Sequence, residues 1–460
     1  MPETVTLAGD PPLTPRWEPW MRALLADPQR CAAIVAEHGS PVNVLNPEPL
    51  ARNAAELTRP GPVRDLDIAL FYARKANKAL CFVDAALAAG LGVDVASEAE
   101  LAQVLDAGVR PERIIVSAAV KNDRLLELAL ARRVIVSLDH VGELETYAAL
   151  AAAAGVRPPV ALRLALHPRT GVAPTRFGEL AERWLALDLG GVEVAGVHFH
   201  LNGYSAAERG VGIVAACQLV DALGARGHRP WFVDAGGGVP MSYLDDPGEW
   251  EAFWDAQGAA VAGERAPLTW NGHRLDNVYP YHQQPTRGAW LTRVLERPAH
   301  RDEGTVAKAL AGRRLSLHLE PGRSLLDGCG LTLARVAFTK RRSDGVGLIG
   351  LEMNRTQCRT TSDDFLIDPA LITFGARSEP YEGFLVGAYC IENELILQRR
   401  LTAPHGVQPG DIVALPNTAG YFMHILESGS HQWPLARNVV WRESGPLPLD
   451  RIDRVSKAVR

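Results

Sequence analysis

Short apolar segments rich in β-branched residues alternate with longer Ala- and Leu-rich segments of helical period from about residue 65 to residue 320. Strands that are apolar along their whole length are typical of parallel sheets, because helices bury both faces of such a sheet. Eight repeats of strand and helix predict a closed (β/α)8 barrel, with a doubly wound open sheet as the alternative. The predicted strands are "IALFYA" (68–73), "LGVDVAS" (91–97), "RIIVSA" (113–118), "VIVSLD" (134–139), "VALRLAL" (160–166), "VAGVHFH" (194–200), "WFVDAGG" (231–237) and "LSLHLE" (315–320).

The interval between the seventh and eighth predicted strands breaks this rhythm, because it runs from 238 to 314 and is rich in aromatic and polar residues. A loop of that length usually has its own structure and purpose. We predict an insertion over about 240–312 that covers the barrel mouth, shapes a substrate pocket, contacts a subunit or elaborates the surface.

The chain changes character after residue 330, where short β-rich runs are separated by Gly, Pro and Asn. This pattern predicts a mostly antiparallel sheet domain over 331–460. The segment "SPVNVLNPEPLARNAAEL" (40–57) predicts one further strand and a helix, so residues 1–48 are expected to contribute to the same domain. The barrel is then predicted over 49–330, and the fold class is α/β plus β.

The composition excludes several classes of protein. A net charge of −5 over 460 residues gives no reason to expect nucleic acid or an anionic membrane surface as a partner. The six cysteines are scattered without a CxxC pair, which argues against a disulfide framework and against a bound metal such as structural zinc. We see neither a signal peptide nor a membrane span, so a cytoplasmic location is expected.

Polar residues follow nearly every predicted strand, and in barrels the C-terminal ends of the strands carry the chemistry. Lys75 follows the first strand, where partial burial can lower the pKa of an amine and free it as a nucleophile. "DAGGG" (234–238) and "EPGR" (320–323) end the last two strands, and their glycines allow backbone N–H groups to approach a phosphate closely. Arg323 adds a bidentate phosphate partner.

An ordered set of short motifs resembles one family. "YARKANK", "GVDVASEAEL", "TRFG", "HFH", "DAGGG", "EPGRS", "GAYC" and "AGYF" occur in the order found in the pyridoxal-phosphate-dependent decarboxylases of the alanine-racemase-like fold (fold type III). These include the diaminopimelate, ornithine and biosynthetic arginine decarboxylases. The resemblance covers about residues 40–440 outside the predicted insertion, and the chain looks like a divergent member.

The resemblance implies roles for particular residues. Lys75 would hold pyridoxal 5'-phosphate as an internal aldimine, His200 would stack on its ring, and Glu320 would pair with the pyridine nitrogen. Cys390 matches the cysteine that reaches into the neighbouring subunit, which implies a homodimer with shared active sites. Further cofactor-binding residues are implied at Asp94, Glu100, Arg163, Gly237, Gly238, Gly322, Arg323 and Tyr421.

Glu320 favours decarboxylation, because a carboxylate at the pyridine nitrogen keeps the ring protonated and strengthens it as an electron sink. The racemase branch of this fold places an arginine there. Lys75, His200, Glu320 and Cys390 are therefore the predicted catalytic residues, with Cys390 or Lys75 returning a proton to Cα. Racemisation, other carbanion chemistry, β- or γ-replacement and non-catalytic binding of the cofactor stay as alternatives.

Several departures from the family pattern concern the substrate. Ile391 follows Cys390 where the compared decarboxylases have an acid, and Glu392 comes one residue later. Asn202 or Gly203 stands where a phosphate-binding serine is expected. Arg355, Cys390 and Glu392 are the predicted substrate contacts, and the altered pocket predicts an unusual amino acid or amino-acid derivative in specialised metabolism.

Overall fold

The computed structural model describes residues 3–300, 303–362, 365–375 and 379–455. The strands are β1 (Glu3–Thr6), β2 (Val42–Leu45), β3 (Ile68–Ala73), β4 (Gly92–Val95), β5 (Ile114–Val116), β6 (Ile135–Leu138), β7 (Pro159–Arg163), β8 (Glu193–Leu201), β9 (Phe232–Gly237), β10 (Ser316–Leu319), β11 (Gly330–Arg341), β12 (Gly347–Leu351), β13 (Ala370–Thr373), β14 (Tyr381–Val386), β15 (Leu401–Ala403), β16 (Ile412–Pro416) and β17 (Arg437–Val440). The helices are α1 (Pro19–Leu25), α2 (Pro28–His38), α3 (Glu48–Thr58), α4 (Leu80–Ala88), α5 (Glu98–Asp106), α6 (Asp123–Arg132), α7 (Val141–Ala154), α8 (Ala181–Leu185), α9 (Ala206–Ala225), α10 (Pro247–Val261), α11 (Arg287–Leu295), α12 (Val306–Gly312) and α13 (Arg451–Val455).

Strands β3 to β10 form a closed parallel barrel in chain order, and β10 closes it by pairing with both β9 and β3. This confirms the predicted barrel, and the open-sheet alternative is wrong. Alternate residues of each strand face opposite sides. Leu70 and Tyr72 of β3 join the core shared with the surrounding helices. A separate cluster fills the barrel interior: Phe71, Ile115, Ile135, Ala161, Ala195 and Phe232.

The same alternation explains the polar residues at the barrel mouth. On β9, Asp234 is two residues beyond the interior residue Phe232, so it continues the inward-facing row. On β10, Glu320 is two residues beyond His318, whose ring stacks on Phe232 at a centroid distance of 4.2 Å. The interior rows therefore change from apolar to ionisable residues at the C-terminal end of the barrel.

Among the described residues the second sheet contains nine strands, and it takes material from both parts of the chain outside the barrel. β1 pairs with β13, and β2 pairs with β11, both antiparallel. The pairs β12–β14 and β17–β2 are parallel, and the remaining pairs of this sheet are antiparallel. This confirms a mostly antiparallel sheet beside the barrel. No helix within the described residues is long and apolar enough to cross a membrane.

The interval between β9 and β10 bridges the two parts. Its aromatic residues Tyr243, Phe253, Tyr279 and Tyr281 are buried with residues of the antiparallel sheet. Trp290 on α11 is buried in the barrel core instead. The segment is therefore part of both cores, rather than a surface elaboration alone.

Asp327, which follows β10, links three separated parts of the chain. Its carboxylate accepts hydrogen bonds from Arg16, from Arg287 Nη1 at 2.8 Å and from Asn417 Nδ2 at 2.8 Å. Burial opposes the ionisation of Asp327, but Arg16 and Arg287 outweigh it and hold its pKa below the usual value. The carboxylate thus fastens the N-terminal segment and α11 to the end of the barrel.

We expect Asp327→Asn to lower the free energy of unfolding by about 3 kcal/mol, because it removes the buried carboxylate that Arg16 and Arg287 share, although Arg287 keeps its ion pair with Glu56. Since the folded pKa is depressed, this contribution is present above the unfolded pKa of about 3.9 and is lost as pH falls through the folded value. Urea unfolding at neutral and acidic pH measures both effects. Asp344→Asn, at an exposed pair with Arg342, is the control and should leave the midpoint unchanged. An equal shift for both variants would contradict the assignment.

Candidate active site

A cavity of about 390 Å³ opens at the C-terminal ends of the barrel strands, between the barrel and the antiparallel sheet. Segments after β3, β8, β9, β10, β12 and β16 supply its walls. The lining residues are Lys75, His200, Leu201, Asn202, Gly203, Tyr204, Gly237, Gly238, Val239, Tyr279, Glu320, Gly322, Arg323, Ser324, Thr360, Thr361, Ser362, Tyr421 and Ile425.

Lys75 lies on a single 3₁₀ turn that directly follows β3, and its side chain is half-buried. Its Nζ lies 2.6 Å from Asp94 Oδ2, and Asp94 also accepts a hydrogen bond from the Ser117 hydroxyl. Burial lowers the pKa of Lys75, but the carboxylates of Asp94 and Glu320 outweigh it and raise the pKa above its usual value. Asp94 therefore holds the amine at the cavity in a fixed position.

Glu320 follows β10 and is 5 % exposed. Within the described residues its Oε1 has no hydrogen-bond partner, and its Oε2 lies 3.8 Å from His198 Nε2. Burial, together with the neighbouring acids Asp94 and Asp234, raises the pKa of Glu320 well above its usual value. Burying a carboxyl oxygen without a hydrogen-bond partner costs free energy. Glu320 can therefore form a favourable hydrogen bond with a donor group or a basic nitrogen of a ligand.

His200 presents a flat, neutral ring to the cavity. Burial and the nearby charge of Lys75 lower its pKa to about 3. Phe177 packs edge-on against this ring at 5.2 Å. Arg163 does not line the cavity; it donates to Asp139 Oδ1 at 2.9 Å and to the Ser117 carbonyl at 2.7 Å, and so braces the strand ends below the ring.

Another part of the cavity wall is built from glycines and a cation. Gly237 has a φ of +108°, and a Cβ atom on Gly322 would lie 2.7 Å from the Tyr421 hydroxyl. Tyr421 itself has a φ of +74°, a left-handed conformation that is strained for a bulky residue and that clusters at functional sites. Arg323 donates to Tyr243 Oη at 2.8 Å and lies over the Tyr279 ring at 4.2 Å. Glycine backbone beside a guanidinium is a combination suited to binding an anion.

Most of the predicted cofactor-binding residues line this cavity, but the predicted substrate contacts and some of the cofactor-binding residues do not. Glu100 lies behind the lysine and accepts the Ala96 N–H at 2.7 Å. Arg355 instead donates to the Asn393 carbonyl at 3.0 Å, and Cys390 and Glu392 are exposed on the same loop region. These three predicted substrate contacts do not line the cavity of their own chain.

Sequence reasoning missed several residues of the site. His198, two positions before His200 on β8, lies on the same face of the strand and approaches Glu320. Tyr204 and Tyr279 line the cavity, as do the hydroxyl residues Thr360, Thr361 and Ser362. The repeated His of "HFH" was a usable signal for His198. No local pattern marks the hydroxyl residues, because they come from a loop of the second sheet.

Comparison with known proteins identifies the family. Residues 54–259 match the family model described as the pyridoxal-dependent decarboxylase, pyridoxal binding domain. An uncharacterised protein, y4yA of Sinorhizobium fredii, is 33% identical over 412 residues, which cover 87% of each chain. The chain belongs to the pyridoxal-dependent decarboxylase family. Its cofactor is pyridoxal 5'-phosphate.

Other members of the family are more distant. The diaminopimelate decarboxylase of Zymomonas mobilis is 25% identical over 434 residues and is covered over 89% of its length. The crystal structure of diaminopimelate decarboxylase from Helicobacter pylori complexed with L-lysine superposes with a TM-score of 0.67 at 18% identity, covering 93% of this chain and 99% of that chain. At that identity the likeness supports the fold alone.

The residues around the cavity fit this cofactor. Three groups line one cavity and match the three ends of the cofactor. The Lys75 amine suits the aldehyde, the buried Glu320 oxygen that lacks a hydrogen-bond partner suits the ring nitrogen, and the glycines beside Arg323 suit the phosphate. A side chain at Gly322 or Gly238 would collide with tyrosine atoms that border that space. The chemistry of the donor set therefore matches each end of the cofactor.

Proposed function

We propose that this decarboxylase-family protein removes the α-carboxyl group of an amino acid or amino-acid derivative in specialised metabolism. The observation that carries the proposal is Glu320, a buried acid with one unfilled oxygen at the cavity that Lys75 also lines. When bound, the cofactor supplies an electron sink for the charge left on Cα as CO₂ departs. Glu320 controls how strong that sink is.

Each residue then has a task that follows from its surroundings. Lys75 anchors the cofactor, and Asp94 positions the amine for it. Burial and the acids Asp94 and Asp234 raise the pKa of Glu320, which favours a proton on this carboxyl group that a basic ring nitrogen can take up; the opposite charges then stabilise each other. His200 stacks on the ring as a neutral group, and Arg163 braces the strands beneath it.

The phosphate is proposed to lie at the glycine-lined part of the cavity wall. Gly237, Gly238 and Gly322 provide close backbone approach there, and Arg323 provides the positive charge. Tyr421 borders the same part. This placement leaves the space between His200 and the loop at 360–362 for the substrate side chain.

A homodimer with shared sites is proposed from the loop that carries Cys390. Tyr389 on this loop stacks on His431 at 4.8 Å and donates to the Ser428 carbonyl at 2.9 Å, so the loop is ordered although Cys390 is exposed. Large apolar side chains exposed in the loop and in the nearby stretch after Tyr421 are Ile391, Ile425, Leu426, Trp433 and Leu435. Exposed apolar clusters mark interaction surfaces, and Cys390 of the partner subunit would then return a proton to Cα.

A specialised substrate is supported by the departures from the diaminopimelate enzymes. Ile391 directly follows Cys390, and the cavity wall carries Thr360, Thr361, Ser362 and Tyr279.

A cytoplasmic location stays a prediction.

The reaction is tested by incubating the purified holoenzyme with L- and D-amino acids in deuterated water. We expect at least one amino acid or derivative to release CO₂, with one deuterium incorporated at Cα of the amine product. Exchange of the Cα hydrogen without loss of CO₂ would instead support racemisation or another carbanion reaction. Binding of cofactor with neither outcome across a broad panel, including diamino acids, would contradict the proposal.

A further inference from the structure

Arg209 is a buried cation that forms no ion pair within the described residues. It lies in the first turns of α9 and is 1 % exposed. Its guanidinium donates to backbone carbonyls: those of Gly236, of Gly238 at 3.3 Å and of Gly203 at 3.4 Å. Within the described residues no carboxylate lies at ion-pair distance from it, although Glu208 and Asp234 act on it from farther away, and its Nε has no hydrogen-bond partner. A buried charge in that state is costly unless a nearby anion compensates it.

The guanidinium lies directly behind the glycine loop of the cavity. A Cβ atom on Gly237 would be 2.8 Å from Arg209 Nη1. Trp290 of α11 covers Arg209 from another side, with its ring centre 5.8 Å from Cζ. Gly203, Gly237 and Gly238 all line the cavity, whereas Arg209 does not. Only backbone therefore separates the charge from the cavity.

We infer that Arg209 is a positioning residue for the cofactor phosphate: it fixes the loops of Gly203 and of Gly236–Gly238 and adds a positive charge behind them. The N–H of a trans peptide points away from its carbonyl, so carbonyls turned toward Arg209 turn the N–H groups of Gly237 and Val239 away from it. The inference rests on the phosphate placement proposed above.

The charge persists under the conditions in which the enzyme works. Burial lowers the pKa of Arg209 to about 10, which still leaves it protonated at neutral pH. The charge acts through a region of low dielectric, where its attraction for a phosphate dianion is weakly screened. It would compensate for the absence of a serine at Asn202–Gly203.

Titration of the apo-protein with pyridoxal 5'-phosphate and with pyridoxal, which lacks the phosphate, tests this role. We expect Arg209→Gln to weaken binding of the phosphorylated form about tenfold or more, and to change pyridoxal binding by less than about twofold. Arg226→Gln is the matched control, because Arg226 at the end of the same helix also donates to backbone carbonyls, those of Leu185 and Leu187, away from the cavity. It should change neither affinity.

If Arg209→Gln weakens the binding of both ligands equally, Arg209 only stabilises the loops and the inference is wrong. The inference is also wrong if the variant weakens the binding of neither ligand. If the glutamine variant does not fold, Arg209→Lys decides, since it keeps the charge but reaches fewer carbonyls. It should lose about threefold or more in affinity for the phosphorylated ligand alone; any other pattern overturns the role. Covalent attachment of the cofactor to Lys75 is measured separately, so a failure of the proposed function can be distinguished from a failure of the role inferred for Arg209.

Discussion

Lys75→Ala is expected to lower turnover at least about a thousandfold, because it removes the amine that anchors the cofactor at the barrel mouth. The cofactor that copurifies with the protein should also fall, since its aldehyde loses its covalent partner. Bound cofactor per chain after gel filtration and the rate of CO₂ release measure these two losses.

Lys78→Ala is a closely matched control. Lys78 lies on the same loop, its side chain is 36% exposed against 32% for Lys75, and each amine pairs with a carboxylate at 2.6 Å. Lys78 does not line the cavity. We expect this variant to keep near-normal cofactor content and turnover, and a comparable loss in both variants would show that the loop, rather than the Lys75 amine, is responsible.

Glu320→Gln is expected to lower turnover by about a hundredfold or more while the protein still binds its cofactor. The amide has nearly the same shape as the carboxyl group but cannot hold the ring nitrogen protonated, so the electron sink is weaker. A fall in kcat at nearly unchanged cofactor affinity is the expected pattern. Steady-state kinetics and cofactor titration distinguish it from simple loss of binding.

Glu427→Gln controls for the removal of a buried carboxylate. The side chain of Glu427 is 0% exposed and that of Glu320 is 1% exposed, but Glu427 pairs with Lys78 outside the cavity. This variant should lose some stability and keep its turnover. Full activity of Glu320→Gln would remove the main argument for decarboxylation over racemisation on this scaffold.

The barrel was predictable because its strands are buried on both faces and read as apolar runs. The eight predicted segments overlap β3 to β10, and "IALFYA" matches β3 at both ends. In the second sheet, β1, β13 and β14 were not predicted. The short runs of β13 and β14 lie in a stretch rich in Gly, Pro and charged residues. β13 pairs with β1 and β16, which are remote in the sequence and leave no local signal, whereas β14 pairs with β12 and with the next strand, β15.

The ends of the barrel strands were equally informative about the site. A residue that follows a parallel strand must lie at the mouth, so Lys75, His200 and Glu320 could be placed together without coordinates. Arg209 could not, because its role depends on carbonyls of two loops that only the closed barrel brings together. The substrate contacts were the least predictable part of the site, because Cys390 and Glu392 lie outside the cavity of their own chain.

Lys75 is proposed to carry the cofactor in the cavity that Glu320 and the glycine loops complete. Treating the holoenzyme with borohydride fixes the cofactor to the amine that holds it, and peptide mass spectrometry then locates the added pyridoxyl group. The label is expected on the peptide containing Lys75, with none on Lys78 or Lys121. A label on another lysine, or no label on a protein that binds the cofactor, would contradict this role of Lys75.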